Sequence, residues 1–155
     1  MIKTLAAASI ALAALLPAKS ALAETAVFAG GCFWCVESDM DAVKGVTSTV
    51  SGYAGGKSPN PTYESHKGYT EAVKVEFDPK VISYGELTAI FLRTMDFPDA
   101  GGQFCDRGSS YVSAIFSMGG EQMKAAKDAV AEAEKALGQK IVTPVTAFTT
   151  FGNAE

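Results

Sequence analysis

Histidine, tryptophan and cysteine are scarce in this 155-residue chain, which contains one, one and three of them respectively. The single histidine, His66, lies in a polar stretch and is predicted to be a surface loop residue. A Cys–His catalytic pair is therefore not expected, and any proton donor would be a carboxylate, a tyrosine or water. The cysteines lack a second C-x-x-C pair, so their spacing gives little support to a zinc site.

Positive charge is also in short supply. The chain has 13 lysines and arginines against 17 aspartates and glutamates, and its formal net charge is −4. It shows no stripe of interleaved basic and aromatic residues, so we expect no nucleic-acid partner. Beyond residue 23 no apolar run is long enough to span a bilayer, so we expect no membrane association for that part of the chain.

The start of the chain carries its one long apolar run. Lys3 precedes a stretch of leucine, alanine and isoleucine over residues 5–16, and Ala21-Leu22-Ala23 is a small-x-small cleavage pattern. These features are typical of a secretory signal peptide over residues 1–23. We expect an exported protein, in the bacterial periplasm, with a single domain over residues 24–155. In an exported chain an odd number of cysteines indicates a reactive thiol, since at least one sulfur has no intramolecular partner.

The most informative stretch is Gly30-Gly31-Cys32-Phe33-Trp34-Cys35, which follows a short apolar run and precedes a segment with helical character. Two glycines allow a sharp turn from strand to helix. Cys32 would then lie near the helix N-terminus, where unpaired N–H groups and the helix dipole favour a nucleophilic thiolate. Cys35 follows about one turn later on the same side, beside an apolar wall of Phe33 and Trp34. Spacing alone leaves two alternatives, a buried structural cysteine and a zinc or disulfide site.

The clearest strand runs from Glu71 to Asp78, with apolar residues at alternate positions. Glu71 shares the parity of Val73 and Val75, so its carboxyl is predicted to face inward. Burial raises the pKa of a carboxyl and keeps it protonated near neutral pH, as a general acid requires. The alternative is a frayed strand start at which Glu71 lies in water. The pattern by itself leaves both interpretations open.

The order of the predicted elements indicates the fold class. A strand is followed by a helix, two strands, a helix, a strand, a helix and a last strand, which predicts an α+β fold. We expect a two-layer α/β sandwich, ferredoxin-like in outline, with a mixed and mainly antiparallel sheet. The Gly-rich loop 96–110 is predicted to be functional. The other predicted elements are helices at 33–43, from the Ser83 capping box to Met95 and at 121–137, and strands at 46–53, 111–117 and within 141–151.

Six motifs stand in order along the chain. They are Gly31-Cys32-Phe33-Trp34, Gly52-Tyr53-Ala54-Gly55-Gly56, Asn60-Pro61-Thr62-Tyr63, Glu71-Ala72-Val73 followed by Phe77-Asp78-Pro79, Ile82-Ser83-Tyr84, and Asp106-Arg107-Gly108-Ser109-Ser110-Tyr111. In these motifs the chain resembles the peptide methionine sulfoxide reductases of the A type, which act on the S-epimer of the sulfoxide. The resemblance runs from Phe28 to about Phe116.

The resemblance implies a role for each matching residue. Cys32 matches the nucleophile that attacks the sulfoxide sulfur, and Glu71 matches the acid that protonates the sulfoxide oxygen. Phe33 and Trp34 match the apolar pocket around the substrate methyl group. The residues implied to bind and orient the oxygen are Tyr63, Asp106 and Tyr111. The resemblance implies no cofactor and no metal, and we expect a monomer.

The resemblance also implies a route for recycling. Reduction leaves a sulfenic acid on Cys32, which a second thiol converts to a disulfide that a thioredoxin-like donor then reopens. Many family members have glycine at the position of Cys35 and asparagine at that of Cys105. The resolving cysteine is either of these two, and one helical turn favours Cys35. Cys105 is the alternative, or it relays the disulfide outward.

Departures from the family leave other functions open. The segment between Tyr63 and Glu71 is short, with Tyr69 where histidine is common, and the chain stops at Glu155 without the cysteines that some members carry in a C-terminal tail. These differences favour a truncated or weakly active product, or an inactive homologue. A thiol–disulfide oxidoreductase would use Cys32 and Cys35 on protein disulfides instead. A metal-binding module would use the three sulfurs and His66.

Overall fold

The structure is a computed structural model that describes residues 23–155. The signal peptide predicted for residues 1–23 therefore lies outside the described residues, apart from Ala23. The helices are α1 (Phe33–Asp41), α2 (Tyr84–Phe91) and α3 (Gly120–Leu137), with a 3-10 turn at Ser109–Tyr111. The strands are β1 (Glu24–Ala29), β2 (Val46–Ala54), β3 (Thr70–Phe77), β4 (Gly102–Gln103), β5 (Asp106–Arg107), β6 (Ala114–Ser117), β7 (Val145–Ala147) and β8 (Phe151–Asn153).

A six-stranded sheet organises these elements, with the strands in the order β7-β6-β1-β3-β2-β8. Neighbouring strands are antiparallel, except that β7 runs parallel to β6. Strands β4 and β5 form a separate hairpin. The expected α/β class with a mixed, mainly antiparallel sheet is confirmed, and the ferredoxin-like outline stays a prediction.

The two faces of the sheet are covered differently. Alternation along β3 places Val73, Val75 and Phe77 in the larger core, against residues of all three helices such as Met40 and Leu87. The opposite face carries a small cluster rich in alanine, on which two partly buried phenylalanines pack from the segment after β7. The helices therefore form one layer, and the other face of the sheet is covered by the end of the chain.

Helix boundaries follow local signals. Ser83 and Glu86 form the predicted capping box, because the Ser83 hydroxyl accepts the Glu86 N–H at 3.2 Å and the Glu86 carboxylate accepts the Ser83 N–H at 2.9 Å. Helix α2 then ends at Phe91, so its predicted extension to Met95 is wrong. Helix α3 ends as predicted at Gly138, which has a φ of 64°. None of the helices described for residues 23–155 has the length and apolar character to cross a membrane.

Three sequence predictions need correction. Tyr111 was expected to begin a strand, but it closes the 3-10 turn, and β6 begins at Ala114. Leu137 was expected in the packed stripe of α3, but it lies exposed at the end of the helix. The region 141–151 was expected to hold one strand, whereas β7 lies within it and β8 begins at Phe151. Three-residue strands carry too little periodicity to be recognised.

The turn from β1 to α1 depends on Gly31, whose φ is +88°. A Cβ atom at Gly31 would lie 2.6 Å from the Cβ of Gln103 in β4. Gln103 is buried and holds the preceding loop, since its side-chain amide accepts the Asp96 N–H at 2.7 Å and donates to the Asp96 carbonyl at 3.0 Å. The turn before α1 is therefore packed directly against the β4–β5 hairpin.

This contact makes a stability prediction. Gly31→Ala should lower the free energy of unfolding by roughly 2–5 kcal/mol, because a left-handed alanine costs about 1–2 kcal/mol and an overpacked contact about 1–3 kcal/mol. The matched control is Gly68→Ala, where φ is +84° but no atom lies within 4 Å of the added Cβ. Urea unfolding should show a clearly smaller loss for the control. Equal losses would mean that the Gln103 contact contributes nothing.

Candidate active site

Cys32 lies at the first turn of α1. Its backbone carbonyl accepts the N–H groups of Cys35 at 3.1 Å and Val36 at 3.2 Å, so Cys32 is the residue from which the helix begins. The Cys32 residue is partly exposed, and all three cysteines are free thiols. The strand-to-helix turn expected from Gly30 and Gly31 is confirmed, and it presents Cys32 at the surface of the helix layer.

Cys35 follows one helical turn later and lies within hydrogen-bonding reach of Cys32. This thiol–thiol hydrogen bond is the main cause of a raised pKa for Cys35, with smaller contributions from burial and from the negative charges of Cys32, Asp106 and Asp39. The Cys35 thiol therefore holds its proton to higher pH than an unperturbed cysteine. The two cysteines lie one helical turn apart and line the same cavity.

Glu71 is the buried acid of the site. It lies at the start of β3 with 2% of its surface exposed, so the interpretation of a frayed strand start in water is wrong. The Phe33 N–H donates to its carboxylate at 3.0 Å. Burial is the main cause of a raised pKa for Glu71, opposed by the Phe33 hydrogen bond and by His66 and reinforced by Asp106. The Glu71 carboxyl thus holds its proton to higher pH than an exposed glutamate.

Three aromatic side chains form a wall beside these groups. Phe33 is buried, whereas Trp34 and Tyr63 have 59% and 48% of their surfaces exposed. Trp34 stacks on Tyr63, with ring centroids 5.8 Å apart and an angle of 17° between the ring planes. The ring centroids of Phe33 and Trp34 are 5.1 Å apart. We call Phe33, Trp34 and Tyr63 the aromatic rim. The rim offers an apolar, partly open surface for a small hydrophobic group.

Asp106 and Tyr111 reach the site from the hairpin and the 3-10 turn. Asp106 lines a cavity of about 170 Å³ together with Cys32 and Cys35. The pKa of Tyr111 is raised, first by the charge of Glu71, then by burial and by the charges of Tyr63, Asp106 and Cys32. Asp106 and Tyr111, which the resemblance implies to orient the oxygen, thus lie near enough to Glu71 for the charges of these groups to affect one another's pKa.

Cys105 lies apart from the other two cysteines. It occupies the two-residue turn of the β4–β5 hairpin and is exposed. Its neighbour Phe104, with 66% of its surface exposed and a φ of 50°, lines the cavity that contains Cys32, but Cys105 does not. The arrangement favours Cys35 over Cys105 as the first partner of Cys32.

The family assignment rests on the whole folded region. A model of the family described as "Peptide methionine sulfoxide reductase" matches residues 24–155. The chain belongs to this family. It is 54% identical over 143 residues to the peptide methionine sulfoxide reductase MsrA 2 of Rhizobium meliloti (strain 1021), covering 91% of this chain and 72% of the relative.

Solved structures of the reductase family agree with the fold. Mxr1 from Saccharomyces cerevisiae in its reduced form is 28% identical with a TM-score of 0.80, and the match covers 88% of this chain and 82% of Mxr1. Mxr1 in complex with Trx2 matches with a TM-score of 0.65 and 22% identity, covering 92% of this chain and 88% of that one. The second likeness concerns the fold alone.

Two residues of this reductase-family site escaped the sequence analysis. His66 was expected to be a surface loop residue, but it is partly buried and its ring stacks on Tyr53 with centroids 4.9 Å apart. Tyr53 lies opposite Glu71 in the β2–β3 ladder. Burial, with the charges of Glu155 and Glu71, raises the pKa of Tyr53 to about 12. Strand register brings Tyr53 opposite Glu71, and the packing of the loop between β2 and β3 places the His66 ring on Tyr53.

The metal-binding hypothesis finds no ligand set in the folded region. Within residues 23–155 no group of three or more histidine, cysteine, aspartate or glutamate side chains is placed to hold a metal ion. His66 is engaged elsewhere, since its Nδ1 lies 3.0 Å from the Thr62 carbonyl. The three cysteines do not converge, because only two of them line the same cavity.

The raised pKa of Glu71 has a consequence for stability. The carboxyl stabilises the fold fully below its unfolded pKa, and this stability is lost as pH rises through the folded pKa. Glu71→Gln is permanently neutral and still accepts the Phe33 N–H. We therefore expect the variant to melt higher than the parent at about pH 8, with the difference shrinking towards about pH 4.

The control for this prediction is Glu86→Gln. Hydrogen bonds from Ser83 lower the pKa of Glu86, so the stability that its ionised form provides is present above the unfolded pKa and lost as pH falls through the folded pKa. This variant should melt lower than the parent at about pH 8, and the gap should narrow in acid. Circular dichroism melts of both variants test this prediction. A change of melting temperature in the same direction for both variants at about pH 8 would contradict the raised pKa of Glu71.

Proposed function

We propose that this chain reduces methionine-S-sulfoxide, protein-bound or free, to methionine and so repairs oxidised proteins. The observation that carries the proposal is the buried carboxyl of Glu71, which accepts a hydrogen bond from the Phe33 N–H in the helical turn that follows Cys32. Reduction of a sulfoxide needs a nucleophile at its sulfur and an acid at its oxygen, because the oxygen is protonated as the sulfur is attacked. Membership in the reductase family over residues 24–155 supports the same activity.

The proposed chemical step transfers one oxygen atom. The Cys32 thiolate attacks the sulfoxide sulfur while Glu71 delivers its proton to the sulfoxide oxygen. The S–O bond of the substrate breaks and the hydroxyl bonds to the Cys32 sulfur, while the bond formed between the two sulfurs breaks again, so the products are methionine and a sulfenic acid. The substrate sulfur is reduced by two electrons and the cysteine sulfur is oxidised by two. Glu71 regains its proton from water.

The remaining site residues orient the substrate. The aromatic rim provides an apolar wall for the methyl group of the sulfoxide, with Phe33 at its base and Trp34 at its outer edge. The Tyr63 hydroxyl, at the edge of the rim, acts with Asp106 and Tyr111 on the polar side, where the sulfoxide oxygen lies. Recognition of one methyl group and one oxygen at fixed positions selects a single epimer at the sulfur. We assign the S-epimer on the family resemblance.

Recycling is proposed to start with Cys35. Its thiol lines the same cavity as Cys32, one helical turn away, and condenses with the sulfenic acid to form a disulfide and water. Cys105, on the exposed hairpin turn, is the second candidate and a possible outward relay of that disulfide. A thioredoxin-like donor reopens the disulfide by thiol exchange. Mxr1, whose fold this chain shares, has been crystallised in complex with Trx2.

The test is a single-turnover assay of residues 24–155 on separated S- and R-epimers of a methionine sulfoxide peptide. We expect about one equivalent of methionine from the S-epimer and none from the R-epimer, and repeated turnover with a thioredoxin donor. Reduction of neither epimer by folded, reduced protein would contradict the proposal. Reduction of insulin disulfides in that case would support the second candidate, a thiol–disulfide oxidoreductase that uses the Cys32–Cys35 contact.

Three variants assign the roles in the same assay. Cys32→Ser should abolish the single turnover, and Glu71→Gln should slow it by about 100-fold or more if its proton drives the step. Cys35→Ser should keep one equivalent of product and lose recycling. Full recycling in Cys35→Ser would move the resolving role to Cys105, and an unchanged rate in Glu71→Gln would refute the acid assignment.

We also propose that the protein is exported to the bacterial periplasm and acts there as a monomer without membrane attachment. The proposal is supported by Lys3, the apolar stretch 5–16 and the Ala21-Leu22-Ala23 cleavage pattern. Expression of the full chain should yield a periplasmic product whose intact mass is that of a chain beginning at Glu24. A cytoplasmic, uncleaved product would contradict export, and a dimer in light scattering would contradict the monomer.

A further inference from the structure

Glu155 contacts a residue of the aromatic rim. Its carboxylate accepts the backbone N–H of Tyr63 at 2.8 Å, although the two residues are 92 positions apart in sequence. The neighbouring Ala154 N–H donates to the Ser51 carbonyl of β2 at 2.9 Å. Segment 151–155 is therefore fixed to the sheet through β2 and reaches from there to the loop that carries Tyr63.

The contact adds to other anchors of the loop 58–63. The Tyr69 hydroxyl donates to the Ser58 carbonyl, and Pro61 packs on β8, where a Cβ at Gly152 would lie 2.6 Å from it. Both of these anchors precede Tyr63 in the loop. Glu155 and residues 58–62 line a groove of about 450 Å³. The Tyr63 ring is half exposed and stacks on the more exposed Trp34, so stacking alone restrains it weakly.

Glu155 also lies close to the interior of the site. Its negative charge is the largest contribution after burial to the raised pKa of Tyr53, which is opposite Glu71 in the sheet. The carboxylate thus bonds the loop of the rim and adds negative charge near Tyr53. Among the described residues no other acidic side chain accepts the Tyr63 N–H.

We propose that Glu155 is a positioning residue of the site. Its carboxylate holds the Tyr63 backbone so that the Tyr63 ring stays against Trp34 and keeps the aromatic rim closed around the substrate methyl group. The inference rests on the proposed reductase function, but its effect on Trp34 is measurable without any turnover. Because the Tyr63 ring contacts substrate and Glu155 does not, the residue acts on binding rather than on the chemical step.

The experiment compares Glu155→Ala and Glu155→Gln in the full chain. Glutamine keeps an oxygen that accepts the Tyr63 N–H, whereas alanine removes the acceptor. We expect Glu155→Ala to raise KM for a methionine-S-sulfoxide peptide about 3- to 10-fold with kcat within about twofold, and Glu155→Gln to restore most of the loss. The matched control is Glu134→Ala, which removes a carboxylate that accepts the Ile141 N–H at 3.0 Å at the far end of α3.

Trp34 supplies the second readout because it is the only tryptophan in the chain. Loss of the Tyr63 stack in Glu155→Ala should make Trp34 more accessible to acrylamide, while Glu155→Gln and Glu134→Ala should match the parent. An unchanged KM and unchanged quenching in Glu155→Ala would overturn the inference. Equal effects in Glu155→Ala and Glu134→Ala, or a fall in kcat with KM unchanged, would overturn it as well.

Failure of the inference is separable from failure of the proposed function. If the parent protein reduces no sulfoxide, the reductase assignment fails, while the quenching difference still tests whether Glu155 holds Tyr63. If the parent is active and Glu155→Ala matches it in both readouts, only the positioning role is refuted.

Discussion

The site depends on one hydrogen bond between the Phe33 amide and the Glu71 carboxylate. It joins the first turn of α1 to the side chain of Glu71 at the start of β3, so the acid is held beside the turn that carries the nucleophile. The number of N–H groups that donate to the Glu71 carboxylate also affects its pKa. A buried carboxylate bonded by several N–H groups would be stabilised as an anion, whereas a single N–H leaves burial dominant and the proton in place.

The rest of the fold can be understood as support for that bond. The helix layer buries one face of the sheet and fixes α1 over β3, while the contact of Gly31 with Gln103 packs the turn against the β4–β5 hairpin. Asp106 enters the site through that hairpin. An error in the turn would therefore displace the nucleophile and the polar side of the pocket together, because both depend on the same contact.

Local signals predicted a large part of this arrangement. The alternation in β3, the capping box at Ser83 and the glycine turn before Cys32 each act within a few residues, and the structure agrees with them. The placement of Tyr53 opposite Glu71 depends on strand register, that of His66 depends on loop packing against Tyr53, and the contact of Glu155 with Tyr63 joins residues 92 positions apart. Such contacts arise from packing between distant segments, which no short pattern in one sequence encodes.

The openness of the aromatic rim limits which oxidised residues the protein can serve. A shallow wall with Trp34 largely exposed accepts a side chain that protrudes from another protein, but it has no depth to draw one out of a packed interior. A sulfoxide inside a folded domain must wait for local opening of its own host. The rate of repair at such a position is then set by the opening equilibrium of the damaged protein. Oxidation that destabilises the damaged protein increases the population of its open form and so increases the rate at which the sulfoxide is reduced.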